Sequence, residues 1–191
     1  MRVTGGEFGG RTLKTPDDGG LRPTQDRVRE ALFNMLAPEI AGVEFLDMFA
    51  GTGAVGIEAL SRGAARATFV ERDRRHAAAL RENLRVLGVE ERSDVVVADA
   101  YRWMASYAGA GFGIAFADPP YALGEEKGYA SVLGTLADRG TVREGGLFIA
   151  EMTANQCAED VPGWSLVKDR TYGKTRLCLW RRAGATRGDQ S

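Results

Sequence analysis

A single histidine, two cysteines and no apolar run of membrane-spanning length restrict the chemistry open to this 191-residue chain. A Ser-His-Asp triad or a histidine-based metal site would have to use His76. That residue sits in a helical pattern rich in Arg and Ala, where a solvated helix face is expected. Cys157 and Cys178 stand in unrelated contexts without metal-ligand spacing, and read as reduced, packing-type thiols. No metal is expected. No stretch approaches the roughly 20 apolar residues that cross a bilayer. The opening Met1-Arg2-Val3-Thr4-Gly5-Gly6 lacks the apolar core of a signal peptide. The expectation is a cytoplasmic protein without a membrane partner.

What is present is enough apolar material, 44% of residues, to bury one good core. The net charge of −1 conceals an asymmetry. Residues 168–187 carry Lys168, Arg170, Lys174, Arg176, Arg181, Arg182 and Arg187 against Asp169 alone. Residues 1–29 hold six basic and four acidic side chains, and the middle of the chain is acidic. Two basic ends around an acidic body suit a polyanion if the fold brings them to one face, and suit a solvated tail equally well.

Along the chain, Arg2-Val3-Thr4 and Arg11-Thr12-Leu13-Lys14 flank a Gly-rich turn and predict a hairpin extension, residues 1–23. Asp17-Asp18-Gly19-Gly20 reads as a loop. Thr24 is the expected cap of a helix through Val28, Ala31, Leu32, Met35 and Leu36 that ends before Pro38. Strands at 44–49, 66–71, 94–98, 113–117 and 146–150 alternate with helical patterns at 54–61, after Asp73, at 101–107 and through Val132, Leu133 and Leu136. Residues 164–167 and 176–180 complete the set as an antiparallel pair around Tyr172-Gly173-Lys174. This predicts an α/β domain over 24–183, a mainly parallel seven-stranded sheet with helices on both faces, and a frayed tail at 184–191. Ligands of such sheets sit beyond the carboxyl ends of the strands.

Three motifs fall there. Asp47-Met48-Phe49-Ala50-Gly51-Thr52-Gly53-Ala54-Val55-Gly56 is a glycine loop whose backbone can approach a ligand closely. Dinucleotides and S-adenosylmethionine both use such loops. The Asp47 carboxylate suits the methionyl ammonium and would repel a pyrophosphate. Glu71, 20 residues after Gly51, can accept both ribose hydroxyls, and Asp99 can accept from an adenine amine. Ala50, Thr52, Arg72 and Ala100 adjoin these residues and complete the expected cofactor site. The third motif is Asp118-Pro119-Pro120-Tyr121. Two prolines stop the strand and leave a stiff rim with a carboxylate and free carbonyls. Asp118 and the Pro119 carbonyl can take the two N–H groups of a base's exocyclic amine, aim its nitrogen and stabilise the positive charge that develops there. Tyr121 offers a face on which an unstacked base can lie.

In this order, Asp47, Gly51-x-Gly53, Glu71, Asp99 and Asp118-Pro119-Pro120-Tyr121 resemble the Rossmann-like class I S-adenosylmethionine-dependent methyltransferases acting on base amines. More narrowly, the chain resembles the bacterial 16S ribosomal RNA guanine-N2 methyltransferase family. The matching residues are Gly5-Gly6, Gly10-Arg11, Leu21-Arg22-Pro23-Thr24, Arg27-Val28-Arg29-Glu30-Ala31-Leu32-Phe33-Asn34, Leu46 through Gly63 and the proline motif. The match runs to residue 121, with a looser fit at Tyr172-Gly173. The resemblance implies S-adenosylmethionine as methyl donor and a guanine of 16S rRNA as acceptor, within the small ribosomal subunit or an assembly intermediate. Catalytic residues would be Asp118, Pro119, Pro120 and Tyr121. Arg2, Arg11, Arg22, Arg27, Lys174 and Arg176 are the RNA-contact candidates, and a monomer is expected. Competing readings are an adenine-N6 methyltransferase, a small NAD-binding oxidoreductase and a catalytically silent RNA-binding module.

Overall fold

The computed structural model describes residues 1–16, 23–119 and 128–184. One seven-stranded sheet organises them: β1 (Glu44–Asp47), β2 (Arg66–Glu71), β3 (Ser93–Val97), β4 (Phe112–Ala117), β5 (Val142–Thr153), β6 (Trp164–Tyr172) and β7 (Thr175–Arg182), in the order β3-β2-β1-β4-β5-β7-β6. β1 to β5 run parallel, and β7 and β6 are antiparallel additions. The chain leaves β1 first toward β2 and β3, then returns to place β4 on the other side. The switch point therefore lies between β1 and β4.

Alternation along the strands divides the core into two layers. Phe45, Phe69, Phe116 and Ile149 face α1 (Pro23–Leu36), α2 (Ala54–Ser61) and α3 (Arg74–Leu87), which contribute Leu32, Phe33, Ile57 and Leu80. Leu46, Val70, Ala115 and Phe148 face α4 (Ala100–Ser106) and α5 (Tyr129–Asp138), which contribute Met104, Leu133 and Leu136. Burying each of these large side chains stabilises the fold by about 1.5–3 kcal/mol.

Local signals set most boundaries. Asp73 caps α3 by accepting from the Arg75 and His76 N–H groups, and Gly88 closes it at φ 69°. At α1 the expectation of a Thr24 cap is corrected: the helix already includes Pro23, whose fixed φ and missing N–H suit a first helical position. The expected hairpin forms as a short antiparallel pair around the Arg2–Thr12 bridge, where the Val3 N–H donates to the Arg11 carbonyl (2.9 Å) and the Leu13 N–H to the Met1 carbonyl (2.8 Å). Between its arms the chain folds down onto α2, where the Glu7 N–H donates to the Ser61 carbonyl (2.8 Å). β5 is longer than expected, continuing past Ala150 through Glu151 to Thr153 against β7. No helix among the described residues is long and apolar enough to cross a membrane.

Candidate functional site

The carboxyl ends of β1, β2, β3 and β4 converge on a cleft of about 260 Å³, lined among others by Phe49, Glu71, Asp99 and Asp118. The glycine loop forms one lip. Gly51 (φ 53°) and Gly53 (φ 88°) both require the left-handed region. They differ in surroundings. A Cβ on Gly53 would lie 2.2 Å from Leu80 Cδ1, whereas one on Gly51 would meet nothing within 4 Å. Gly53 is closed by packing and Gly51 faces open space. Gly56 lets α2 lie flat on β2, since a Cβ there would stand 2.2 Å from the Phe69 ring.

Two carboxylates hold this loop. Glu71 accepts from the Gly51 N–H through one oxygen and from the Asp73 N–H through the other, both at 2.7 Å. Asp47 is 1% exposed and accepts from the Gly56 N–H at 2.9 Å. It is turned into the base of the loop, so its immediate work is to hold α2 on the sheet. Burial pushes its carboxyl up to about 7, with smaller contributions from the charges of Asp118 and Glu71 and an opposing one from the Gly56 N–H. Asp99 caps α4 through the Arg102 N–H (3.0 Å) and still borders the cleft. Arg72 and Ala100 line it too, whereas Ala50 and Thr52, within the loop itself, are buried. The Thr52 carbonyl accepts from Asn83 Nδ2 (3.1 Å), and the same side chain pairs with both the N–H and the carbonyl of Lys14. Asn83 thus ties the N-terminal segment to the loop.

Asp118 is open to the cleft, and Pro119 behind it is buried. Desolvation by the surrounding protein pushes the Asp118 carboxyl up to about 6. Pro120, Tyr121 and Arg22 lie outside the described residues. Two residues at this end of the sheet escaped the sequence reading. His76, expected on a solvated face, is half-buried and lines the cleft, because the Asp73 cap places it in the first turn of α3. Glu151, beside Asp118 on β5, is half-buried, and burial followed by the Asp118 charge pushes its carboxyl up to about 8. Recognising β5 as continuing beyond Ala150 would have exposed it.

The basic candidates separate. Arg2 and Arg27 line a common cleft of about 550 Å³ at the start of α1, and Arg11 and Lys174 are exposed. Lys174 sits at the β6–β7 turn, where its carbonyl accepts from the Ala154 N–H just after β5, at the same end of the sheet as Asp118. Arg176 is instead held in a two-pronged pair with Asp169 (2.8 and 2.5 Å) and donates to the Gln156 carbonyl. Arg29, another basic residue of α1, is 6% exposed and bound to Asp26 and the Arg2 carbonyl, a structural role. Cys178 is buried as expected, while Cys157 is exposed. Among the described residues no group of three or more His, Cys, Asp or Glu could hold a metal ion.

A family model described as Conserved hypothetical protein 95 matches residues 1–181. The ribosomal RNA small subunit methyltransferase D of Escherichia coli K12 is 40% identical over 99% of this chain and 93% of its own length. The Haemophilus influenzae protein of the same name is 33% identical over 95% of this chain and 93% of its own. Among solved structures, an Escherichia coli protein matches with a TM-score of 0.84 at 39% identity, covering 96% of this chain and 98% of that one. A hypothetical protein of Thermus thermophilus matches at 0.76 and 33% identity, covering 94% and 98%. Full-length agreement in sequence and fold leads to one assignment: the chain belongs to the Conserved hypothetical protein 95 family, that of the small-subunit ribosomal RNA methyltransferase D proteins.

Proposed function

We propose that this chain methylates the exocyclic N2 amine of a specific guanine in 16S rRNA, with S-adenosylmethionine as donor. The observation that carries the reading is the juxtaposition of a proline-backed carboxylate, Asp118, with an acid-lined cleft under a glycine loop. The residues fit the donor. Gly51 faces free space, Glu71 has lone pairs left for ribose hydroxyls after its two backbone contacts, and Asp99 borders the cleft beside them. A dinucleotide fits poorly, because its pyrophosphate would compete with Glu71 for the Gly51 N–H and lie against the Glu71 carboxylate. When bound, S-adenosylmethionine supplies an electrophilic methyl carbon on a sulfonium.

The protein's part is positioning and charge. Asp118 and the Pro119 carbonyl take the two amine hydrogens, which fixes the nitrogen's direction of attack. The Asp118 carboxylate stabilises the cationic amine as it forms, and its raised pKa suits it to take the departing proton. No covalent enzyme intermediate is needed. Tyr121 supports the base, and Arg2, Arg11, Arg27 and Lys174 meet the phosphate backbone. The protein acts as a cytoplasmic monomer on the small subunit or an assembly intermediate. The test uses labelled donor with naked rRNA, small subunits and DNA, followed by nucleoside analysis. N2-methylguanosine in rRNA is expected, and methyladenine alone would refute the reading. Asp118→Ala should reduce transfer by about 10²–10³-fold or more, with donor binding measured by calorimetry nearly unchanged.

A further inference from the structure

The rim holds a second acid that this chemistry leaves unused. Ala117 of β4 pairs in parallel register with Ala150 of β5. Asp118 and Glu151 are the next residues on their chains, so they leave neighbouring strands at one level, about 4.8 Å apart in backbone spacing. Alternation puts them on the same face as Phe116 and Ile149, under α1 to α3. Tyr129 at the start of α5 fixes the β5 backbone there by donating its hydroxyl to the Glu151 carbonyl (3.0 Å).

The charges around Glu151 are few. Asp118 stands beside it just past the end of β4, with Asp47 of β1 beyond, and Arg29 lies on α1. Arg29 is already committed to Asp26, Glu58 and the Arg2 carbonyl. Among the described residues no cation forms an ion pair with Glu151. A half-buried acid on the strand next to the cleft-lining Asp118, without a partner cation among the described residues, is suited to a ligand that brings hydrogen-bond donors.

We propose that Glu151 accepts the N1–H of the guanine whose N2 amine Asp118 holds, and thereby selects guanine over adenine. The proposal rests on the guanine-N2 reading above. Guanine presents N1–H and N2–H2 as adjacent coplanar donors, and two acceptors on neighbouring strands are their complement. Adenine presents an N1 lone pair next to its amine, which an ionised Glu151 would face unpaired and with repulsion. A site built to accept a particular N–H rejects the analogue lacking it far better than shape alone can. The raised pKa agrees: in the free protein burial and the Asp118 charge favour the protonated acid, and donors from the base would favour the ionised form. Since kcat/KM reports the free enzyme, it should rise with pH through about 8.

The wild-type product tests the underlying reading separately. N2-methylguanosine supports it, and N6-methyladenosine removes it before any variant is made. On the mapped guanine, Glu151→Ala should lower kcat/KM for RNA by about 10–150-fold with donor affinity unchanged by calorimetry. Glu151→Gln retains an acceptor oxygen, so at pH 7 it should recover most of that loss while the rise through pH 8 disappears. Above pH 8, where Glu151 is ionised, wild type should turn over poorly with 2-aminopurine at the target, which keeps the amine and lacks N1–H. Glu151→Gln should narrow the gap, because its amide can donate to the bare N1. A wild-type pH profile in Glu151→Gln, or unchanged discrimination against 2-aminopurine, would overturn the proposal.

Discussion

Two regions of this molecule bury charge with opposite outcomes. Where the N-terminal segment docks on α2, Glu58 is 0% exposed, yet each of its oxygens is occupied. One accepts from Thr4 Oγ1 and Arg62 Nε, and the other accepts from the Thr4 N–H and lies 3.5 Å from Arg29 Nε. At the carboxyl ends of the strands, Asp47 is buried, Glu151 half-buried and Asp118 open to the cleft; among the described residues none of them has an ion-pair partner, and their carboxyls are pushed up to about 7, 8 and 6. Burial alone therefore does not mark a functional acid. The cluster closed on itself is a fastener. The cluster left short of positive charge and donors has capacity for a ligand.

The largest expected effect breaks the fastener. Glu58→Ala would leave Arg29 and Arg62 buried without their carboxylate and release the Thr4 backbone. The expected loss is about 3–5 kcal/mol of unfolding free energy, read from urea denaturation. A variant as stable as wild type would show that the junction is not held by charge.

The rim should reveal itself through pH. A carboxyl whose folded pKa lies above its unfolded value binds more protons in the folded state between those two values. Stability then falls as pH rises through that window. For Asp47, Asp118 and Glu151 the window runs from about 4, the ordinary carboxylate value, to about 8. The ligand-free protein should therefore melt at a lower temperature at pH 8.5 than at pH 6. Asp47→Asn, which still offers an oxygen to the Gly56 N–H, should flatten that dependence. The opposite trend would mean that the rim acids are better compensated than their surroundings indicate.

Much of the architecture could be read from local signals, because caps, glycines and two-residue alternation act within a few positions. α2 and β2 fall at their expected residues, as do the Asp73 and Gly88 ends of α3. The row Asp47, Glu71, Asp99 and Asp118 was readable for the same reason, since each follows an apolar strand. What was hidden is non-local. Nothing near Glu58 says that it will meet Thr4, 54 residues away. Arg29 is tied to the Arg2 carbonyl, 27 residues away, and to Glu58, and Arg176, an RNA-contact candidate in the sequence, is taken up by Asp169 on the neighbouring strand. Glu151 was hidden because β5 appeared to stop at Ala150, and only the β7 pairing through Thr153 shows it continuing.

A smaller effect is expected at the bridge between the two regions. Asn83→Ala would leave the Lys14 N–H, the Lys14 carbonyl and the Thr52 carbonyl without their partner. A loss of about 1–3 kcal/mol in stability is expected. If the N-terminal segment helps shape the glycine loop, calorimetry should also show weaker donor binding. A stability loss with donor affinity intact would confine Asn83 to the fastener.

The smallest effect separates free from committed cations. Lys174 is exposed at the Asp118 end of the sheet, while Arg176, two residues on, is bound to Asp169 and the Gln156 carbonyl. Lys174→Ala should leave stability within about 0.5 kcal/mol of wild type and reduce the slope of log affinity for rRNA against log salt by about 1. Arg176→Ala should do the reverse, with a measurable loss in melting temperature and a nearly unchanged salt slope. Its partner Asp169, whose carboxyl the Arg176 guanidinium holds below the usual range, would lose that cation and the order it gives the β6–β7 turn. Equal salt slopes for the two variants would mean that RNA reaches Arg176 by displacing Asp169, and the division between committed and available charge would then fail at this turn.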